Sequence, residues 1–355
     1  MEHQANAQII ELASGVDALY ASSRPVVSAE FYRDLLALKE HSNSGDTIQT
    51  FISIGNEQYQ VGMSNWGKYP VFLEHEFGRI GFSQSNSVPG IRLQIRSKFL
   101  HNLGAEQALL WFSNRLEEMG ILTSWTLSRL DLYTDVQGWN PEAPDRPNFL
   151  TRAGDVHYFE KDDSFSGFTF GTRKSGTISC RIYNKTLELR KKNDGWTPLI
   201  WGDRVDHDFP VWRVEFETGT KYLHQVGIKS ASEGLSQVAS IWAYATEDWL
   251  TLRTPTDDSN KSRWPISEPW KFIQNSSLRG SAVPMKRIKD AQTGASLDAL
   301  LAPFRGYLTS MGTYLGATNL DEAFETTKKY VSKNERRSKQ TIDEILSYKR
   351  KKFFI

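Results

Sequence analysis

Along residues 177–185 the chain alternates. Ile178, Cys180 and Ile182 share one phase, and Ser179, Arg181, Tyr183 and Lys185 share the other. A period of two belongs to a strand with one buried face. The spacing therefore predicts a strand with Tyr183 between two cations on its polar side. The same alternation recurs in three places. Ile91, Leu93 and Ile95 oppose Arg92, Gln94 and Arg96. Leu130 and Leu132 oppose Arg129, Asp131, Tyr133 and Asp135. Trp212, Val214 and Phe216 oppose Arg213, Glu215 and Glu217. Extended segments are also expected at Thr50–Ile54, through Tyr59, Val61 and Met63, and near 71–82. A strand over 168–173 followed by the turn Lys174-Ser175-Gly176 makes a hairpin with the Tyr183 strand.

Helical spacing appears elsewhere. Ile9, Leu12, Val16 and Leu19 recur at three and four, and Ser28 caps a second helix bearing Phe31, Leu35 and Leu38. Together they predict a helical N-terminal region over 1–45. Residues 104–119 form a helix with Ala108, Leu109, Phe112, Leu116 and Met119 on its apolar side, stopped at Gly120. Residues 220–251 are expected to be mostly helical, as are 297–316 and the charged stretch 320–351. The segment 137–165, rich in Pro, Gly, Asp and Asn, reads as a long loop, and 251–265 as a polar domain boundary. The expectation is an α+β fold: a central, mostly antiparallel sheet with flanking helices in a core over 46–250, and helical regions at 1–45 and 251–355.

Composition narrows the field. A chain of 355 residues with eleven Trp is long enough for a substantial core. Its formal charge of +1 is less basic than expected of a generic nucleic-acid coat. Local patches would have to supply any field for DNA. One cysteine, Cys180, permits no internal disulfide and no cysteine-based zinc site. The N-terminus lacks the pattern of a signal peptide and no run approaches eighteen apolar residues, so a cytoplasmic protein without membrane insertion is expected.

The polar phases carry the candidate chemistry. If the three strands are neighbours, Arg129, Asp131 and Asp135 meet Arg181, Tyr183 and Lys185, and Arg213, Glu215 and Glu217, on one face. That set suits transfer of a phosphodiester to a tyrosine hydroxyl. Asp and Glu are hard ligands for Mg²⁺ or Mn²⁺. Arg181 and Lys185 are the nearest cations to a phenol that must ionise. The plain alternative is a half-buried strand whose Tyr fills space and whose cations face water. The seven histidines are scattered, with no His-x-His group, so a histidine metal site is unsupported.

The ordered set RLDLYTD, FTFGTRKSGTISCRIYNKTLE and WRVEFE resembles the replication initiation factor family, which comprises rolling-circle initiators of plasmids and phages and the related relaxases of integrative conjugative elements. The similar region spans about 125–225, with weaker similarity at WGKYP (66–70) and in the helix 104–119. The resemblance implies a metal-dependent DNA nickase–ligase that forms a 5′-phosphotyrosine. It places the nucleophile on Tyr183, the family's RLD motif on Arg129 and Asp131, and the carboxylate of its R-x-E segment on Glu215. Asp131 and Glu215 are then the expected metal ligands, with Asp135 and Glu217 as helpers. Arg173 would contact phosphate, and Arg173, Lys174, Arg92 and Arg96 are the expected DNA-binding cations. Implied partners are origin DNA, single-stranded at the nick, a second copy of the chain, and a host helicase. Two other readings stay open: a catalytically silent DNA-binding protein of phage or plasmid origin, and a water-using metal-dependent nuclease.

Overall fold

Among the described residues, eleven strands form one sheet, each antiparallel to its neighbours. In chain order the strands are β1 (Ile10–Ser23), β2 (Phe51–Ile54), β3 (Glu57–Val61), β4 (Val71–His75), β5 (Gly78–Phe82), β6 (Ile91–Ile95), β7 (Thr126–Gln137), β8 (Phe149–Thr151), β9 (Val156–Lys161), β10 (Ser164–Phe170), β11 (Ile178–Asn184), β12 (Trp212–Gly219) and β13 (Leu250–Leu252). The sheet order is β2-β3-β4-β5-β6-β1-β7-β12-β11-β10-β9, while β8 and β13 pair separately. This computed structural model describes residues 8–43, 50–161, 164–192, 195–280, 285, 297–334, 341–344 and 346–347. The helices are α1 (Ala29–Asn43), α2 (Ser97–Leu103), α3 (Ala105–Glu118), α4 (Lys185–Lys192), α5 (Thr197–Trp201), α6 (Thr220–Gln225), α7 (Ala231–Ser236), α8 (Val238–Ala243), α9 (Glu268–Gln274), α10 (Leu297–Tyr314) and α11 (Leu320–Asn334). The class is α+β, as the sequence predicts.

One face of the sheet is apolar. Leu19, Leu93, Leu130, Leu132, Val214, Phe216, Cys180, Ile182, Phe168 and Phe170 are buried together on it, against Phe112 of α3, Trp242 of α8 and Trp270 of α9. Phe216 meets the Trp242 ring edge-on at 5.5 Å and the Trp249 ring at 6.2 Å. The opposite phase of the same strands carries the charged residues, so burying one face aims the chemistry of β7, β11 and β12 the other way.

The N-terminal region departs from expectation. Among its described residues only α1 is helical; the stretch through Leu12, Val16 and Leu19 is β1, placed in the middle of the sheet between β6 and β7. Its pairing with β7 shifts register three times, between Glu11 and Ala13, Val16 and Ala18, and Tyr20 and Ala21. Two of these bulges add a residue to β1, at Leu12 and Asp17, and slip its alternation; the third adds Ser128 to β7. Apolar positions then recur at three and four, which imitates a helix. The described residues 10–23 are thus a strand of the central sheet and not a helix.

The loop expected over 137–165 contains β8 and β9. β9 is an edge strand with most of its residues exposed, so it lacks the alternation that would betray it. The boundary expected at 251 also moves. The chain divides into two compact units, Met1–Arg287 and Ile288–Ile355, because Trp270 and Ile273 are fully buried in the first unit's core. In the second unit α10 and α11 pack through the Phe304 and Phe324 rings, 6.0 Å apart. The basic runs at 335–340 and 348–352 lie outside the described residues. No helix among the described residues is long and apolar enough to cross a membrane.

Candidate active site

β7, β12 and β11 are consecutive in the sheet, and register decides which side chains meet. Glu217 lies opposite Asp131, Glu215 opposite Tyr133, and Arg213 opposite Asp135. On the other side of β12, Arg181 lies opposite Glu215, Tyr183 opposite Arg213, and Ser179 opposite Glu217. Cross-strand partners share a face. The convergence that the sequence made conditional on strand order is therefore present.

At its centre, the Tyr183 hydroxyl donates to Glu215 Oε2 at 3.0 Å. The other oxygen of that carboxylate, Oε1, accepts from Arg181 Nη2 at 2.5 Å. The Arg181 guanidinium also lies 4.9 Å from the Tyr183 ring centre. Lys185 is not on the strand: it opens α4, is buried, and donates to Glu188 Oε2 at 2.5 Å. Its Nζ still lies 5.8 Å from the Tyr183 ring centre. Tyr183 faces Gly167 of β10, where a Cβ would come within 2.3 Å of the Ile182 carbonyl oxygen and 2.9 Å of the Tyr183 Cα. Only glycine allows that approach. Burial, and then the negative charge of Glu215, raise the Tyr183 hydroxyl well above the usual phenol range. The resting phenol is protonated, and Glu215 is the group placed to take its proton.

The second cluster joins β7 to β12. Arg129 Nε donates to Asp131 Oδ1 at 2.8 Å, and its Nη2 donates to Asp131 Oδ2. The same Nη2 lies 3.0 Å from Glu217 Oε2. Arg173 Nε lies 3.6 Å from that oxygen. Neither contact has hydrogen-bond geometry, and Oε2 is a buried oxygen with no hydrogen-bond partner. Glu217 Oε1 accepts the Lys174 backbone N–H at 2.6 Å. Lys174 makes that contact with φ at 59°, the one non-glycine positive φ among the described residues. Such a conformation costs of order 1 kcal/mol and persists where surrounding contacts over-determine it. Asp131 is 1% exposed. Burial pushes its carboxyl up to about 7; the bonds from Arg129 pull it back, and Glu215 and Glu217 add to the rise.

Three expected site residues are already engaged by other side chains. Asp135 is not available as a metal helper. Its oxygens accept from Arg213 Nε at 2.6 Å, Arg213 Nη2 at 2.8 Å and Trp201 Nε1 at 2.8 Å, all buried. Arg96 is ion-paired to Glu74, which also holds Arg79, so it is not a free cation for DNA. Glu215, expected as a metal ligand, has both oxygens engaged by Arg181 and Tyr183. Among the described residues no group of three or more His, Cys, Asp or Glu is arranged to hold a metal. That leaves two carboxylates that face each other across β7 and β12: Asp131, both of whose oxygens accept from Arg129, and Glu217, whose Oε2 has no hydrogen-bond partner. A pair of facing carboxylates, one raised to about 7 and the other with an orphaned oxygen, suits a hard cation that takes its other ligands from water and phosphate. Arg129 is the positive charge they now share.

The sequence did not reveal the support beneath Tyr183. Arg213 Nη1 donates to Asp17 Oδ1 at 2.7 Å, and its guanidinium stacks over Tyr133 at 3.8 Å. The Tyr133 hydroxyl shares a hydrogen bond with His101 Nε2 at 2.6 Å. Burial, helped by Arg213, lowers the His101 pKa and keeps that ring neutral. Burial alone would raise the Asp17 pKa, but Arg213 brings it below the ordinary value. Asp17 escaped notice because it sits in the second β1 bulge, where alternation gives no guide to facing.

No family model matches the chain, and none of the curated proteins does. Among solved structures, the chain is similar to the rolling circle replication initiator protein from Geobacillus stearothermophilus. Identity is 15% and the TM-score is 0.43, over 73% of this chain and 94% of that one. A likeness so distant carries no functional argument.

Proposed function

We propose that the protein nicks and rejoins DNA at a specific site through a 5′-phosphotyrosine on Tyr183, initiating rolling-circle replication or transfer of a mobile element. The observation that carries this is the Tyr183 hydroxyl on Glu215, with Arg181 holding the far side of the same carboxylate. A nucleophile within hydrogen-bond reach of a base, which is itself oriented by a third group, is the arrangement that nucleophilic catalysis requires. Glu215 Oε2 takes the phenolic proton as the Tyr183 oxygen attacks phosphorus. The P–O3′ bond breaks, and the 3′-hydroxyl leaves with a proton from solvent. Arg181 and Lys185 offset the charge that builds on the phosphoryl oxygens. Rejoining is the reverse.

In this reading Asp131 and Glu217 would hold the divalent cation, Mg²⁺ or Mn²⁺, rather than the pair Asp131 and Glu215. The cation would supply positive charge to a non-bridging phosphate oxygen. Arg129 and Arg173, beside the two carboxylates, would contact the same phosphate. A second copy and a host helicase, as further partners, rest on the family resemblance.

A second reading has one observation in its favour. Arg129 already lies between Asp131 and Glu217, as it would in a DNA-binding protein that needs neither metal nor chemistry. The two readings separate in a nicking assay. Protein is incubated with Mn²⁺ and end-labelled single-stranded oligonucleotides tiled across the DNA beside its gene, then run on denaturing gels. The expected result is a metal-dependent protein–DNA adduct that Tyr183→Phe abolishes. Binding without cleavage refutes the chemistry, and cleavage without an adduct in both proteins moves the assignment to a water-using nuclease.

A further inference from the structure

A groove leaves the site across the other half of the sheet. Its near end is lined by Arg129, Glu217 and Lys174, and its far end by Arg92, Trp66 and Lys68. Its volume is about 1170 Å³, above the roughly 300–1,000 Å³ of a pocket for one small molecule. Five Arg and Lys side chains line it against a single carboxylate, Glu217, in a chain whose formal charge is only +1. The basic character missing from the composition is gathered here.

The floor is ordered. Arg129 lies opposite Tyr20 across β7 and β1, Arg92 lies opposite Ser22 across β1 and β6, and Gly81 lies opposite Arg92 across β6 and β5. These positions share the face that carries Asp131 and Tyr183. On that face guanidinium groups and aromatic rings alternate. Arg129 lies 5.3 Å from the Tyr20 ring centre, and Arg92 lies 5.6 Å from the same ring. Arg92 also stacks 4.4 Å from Trp66, and Arg79 closes the row at 5.3 Å from that indole. Trp66 lies against Gly81, where a Cβ would come within 2.9 Å of its ring. The indole is thus seated on the sheet yet half-exposed. Arg92 is held by rings and has no ion pair with a carboxylate among the described residues, which leaves its charge for a ligand.

We infer that this groove is the track for single-stranded DNA leading to Tyr183, with Tyr20 and Trp66 offering faces to bases and Arg24, Lys68, Arg92 and Lys174 following the phosphates. The inference rests on the proposed chemistry only for the identity of the strand. The chemistry of the groove stands apart from it: a positive channel with interleaved aromatic rings is what binds unpaired nucleic acid without reading its sequence. A duplex keeps its base faces stacked and cannot use the rings.

The test is fluorescence anisotropy of a labelled oligothymidylate in EDTA, where no cleavage occurs. Trp66→Ala is expected to weaken binding roughly 10-fold, the usual consequence of losing one stacked base. Trp66→Phe, which keeps a ring, should stay within about two-fold of wild type. Arg92→Gln should lower the slope of log K against log salt by about 0.7, one single-strand phosphate contact. Arg263→Ala, which removes an exposed cation outside the groove, should change neither quantity. Unchanged affinity in folded Trp66→Ala and Arg92→Gln overturns the groove, as does a duplex that competes as well as the single strand. The covalent assay is scored separately. Groove-dependent binding without an adduct refutes the tyrosine chemistry and leaves the track standing; an adduct with groove-independent binding does the reverse.

Discussion

Asp131→Asn should make the protein less sensitive to alkaline pH while removing the proposed metal-dependent nicking. The carboxyl is 1% exposed and burial lifts it from an ordinary 3.8 to about 7. Between those values the unfolded chain has lost the proton and the folded chain retains it. Folding then takes up a proton, so stability falls as pH rises through the window. Two units lie between pH 5 and 7, each worth about 1.4 kcal/mol, so the wild type should lose about 3 kcal/mol from this group by pH 8. Asparagine has no proton to release. Urea titrations of both proteins at pH 5 and pH 8 in EDTA measure the change. Comparing the two pH values cancels the fixed cost of altering the Arg129 contacts. The variant is expected to gain about 3 kcal/mol on the wild type between pH 5 and pH 8. Adding Mn²⁺ at pH 8 should raise the wild-type midpoint and leave that of the variant unchanged. A difference that is flat with pH, or that runs the other way, would refute the reasoning. Asp131 would then be an ordinary low-pKa carboxylate neutralised by Arg129.

Arg213→Ala should cost about 3–5 kcal/mol in urea unfolding, because it strands the buried Asp135 charge; a loss under about 1 kcal/mol would show that Trp201 and solvent suffice for that carboxylate. Gly167→Ala should cost about 1–3 kcal/mol and sharply reduce adduct formation, since the new methyl meets the backbone under Tyr183; full activity would mean that β10 and β11 can part freely. Lys174→Gly should gain about 0.5–1 kcal/mol by relieving the positive φ, yet weaken oligonucleotide binding through the lost cation, and a loss of stability would show that the turn is unstrained.

Much of the site was legible because strands buried on one face write their facing into the sequence. Arg181 and Tyr183, Asp131, and Glu215 with Glu217 could each be assigned to a polar phase from alternation alone. The same local rule failed in β1, where two bulges, at Leu12 and Asp17, break the period, and in β9, where exposure on both sides leaves no alternation. It also could not divide roles among carboxylates of equal standing. Asp135 and Glu217 occupy equivalent phases of neighbouring strands, yet one is closed off by Arg213 and Trp201 and the other keeps an oxygen without a hydrogen bond.

What the sequence determined by itself was therefore local: the class of the fold, helix α3, the strands β7, β11 and β12, and the residues of each that share a face. These follow from periodicity, which any short window of chain contains. Strand order, register and partnership were decided only by tertiary structure, because they depend on which distant segments bury each other's apolar phase. That choice set Tyr183 beside Glu215, gave Asp135 to Arg213, put β1 at the centre of the sheet, and laid Tyr20, Arg92 and Trp66 in one row from the site.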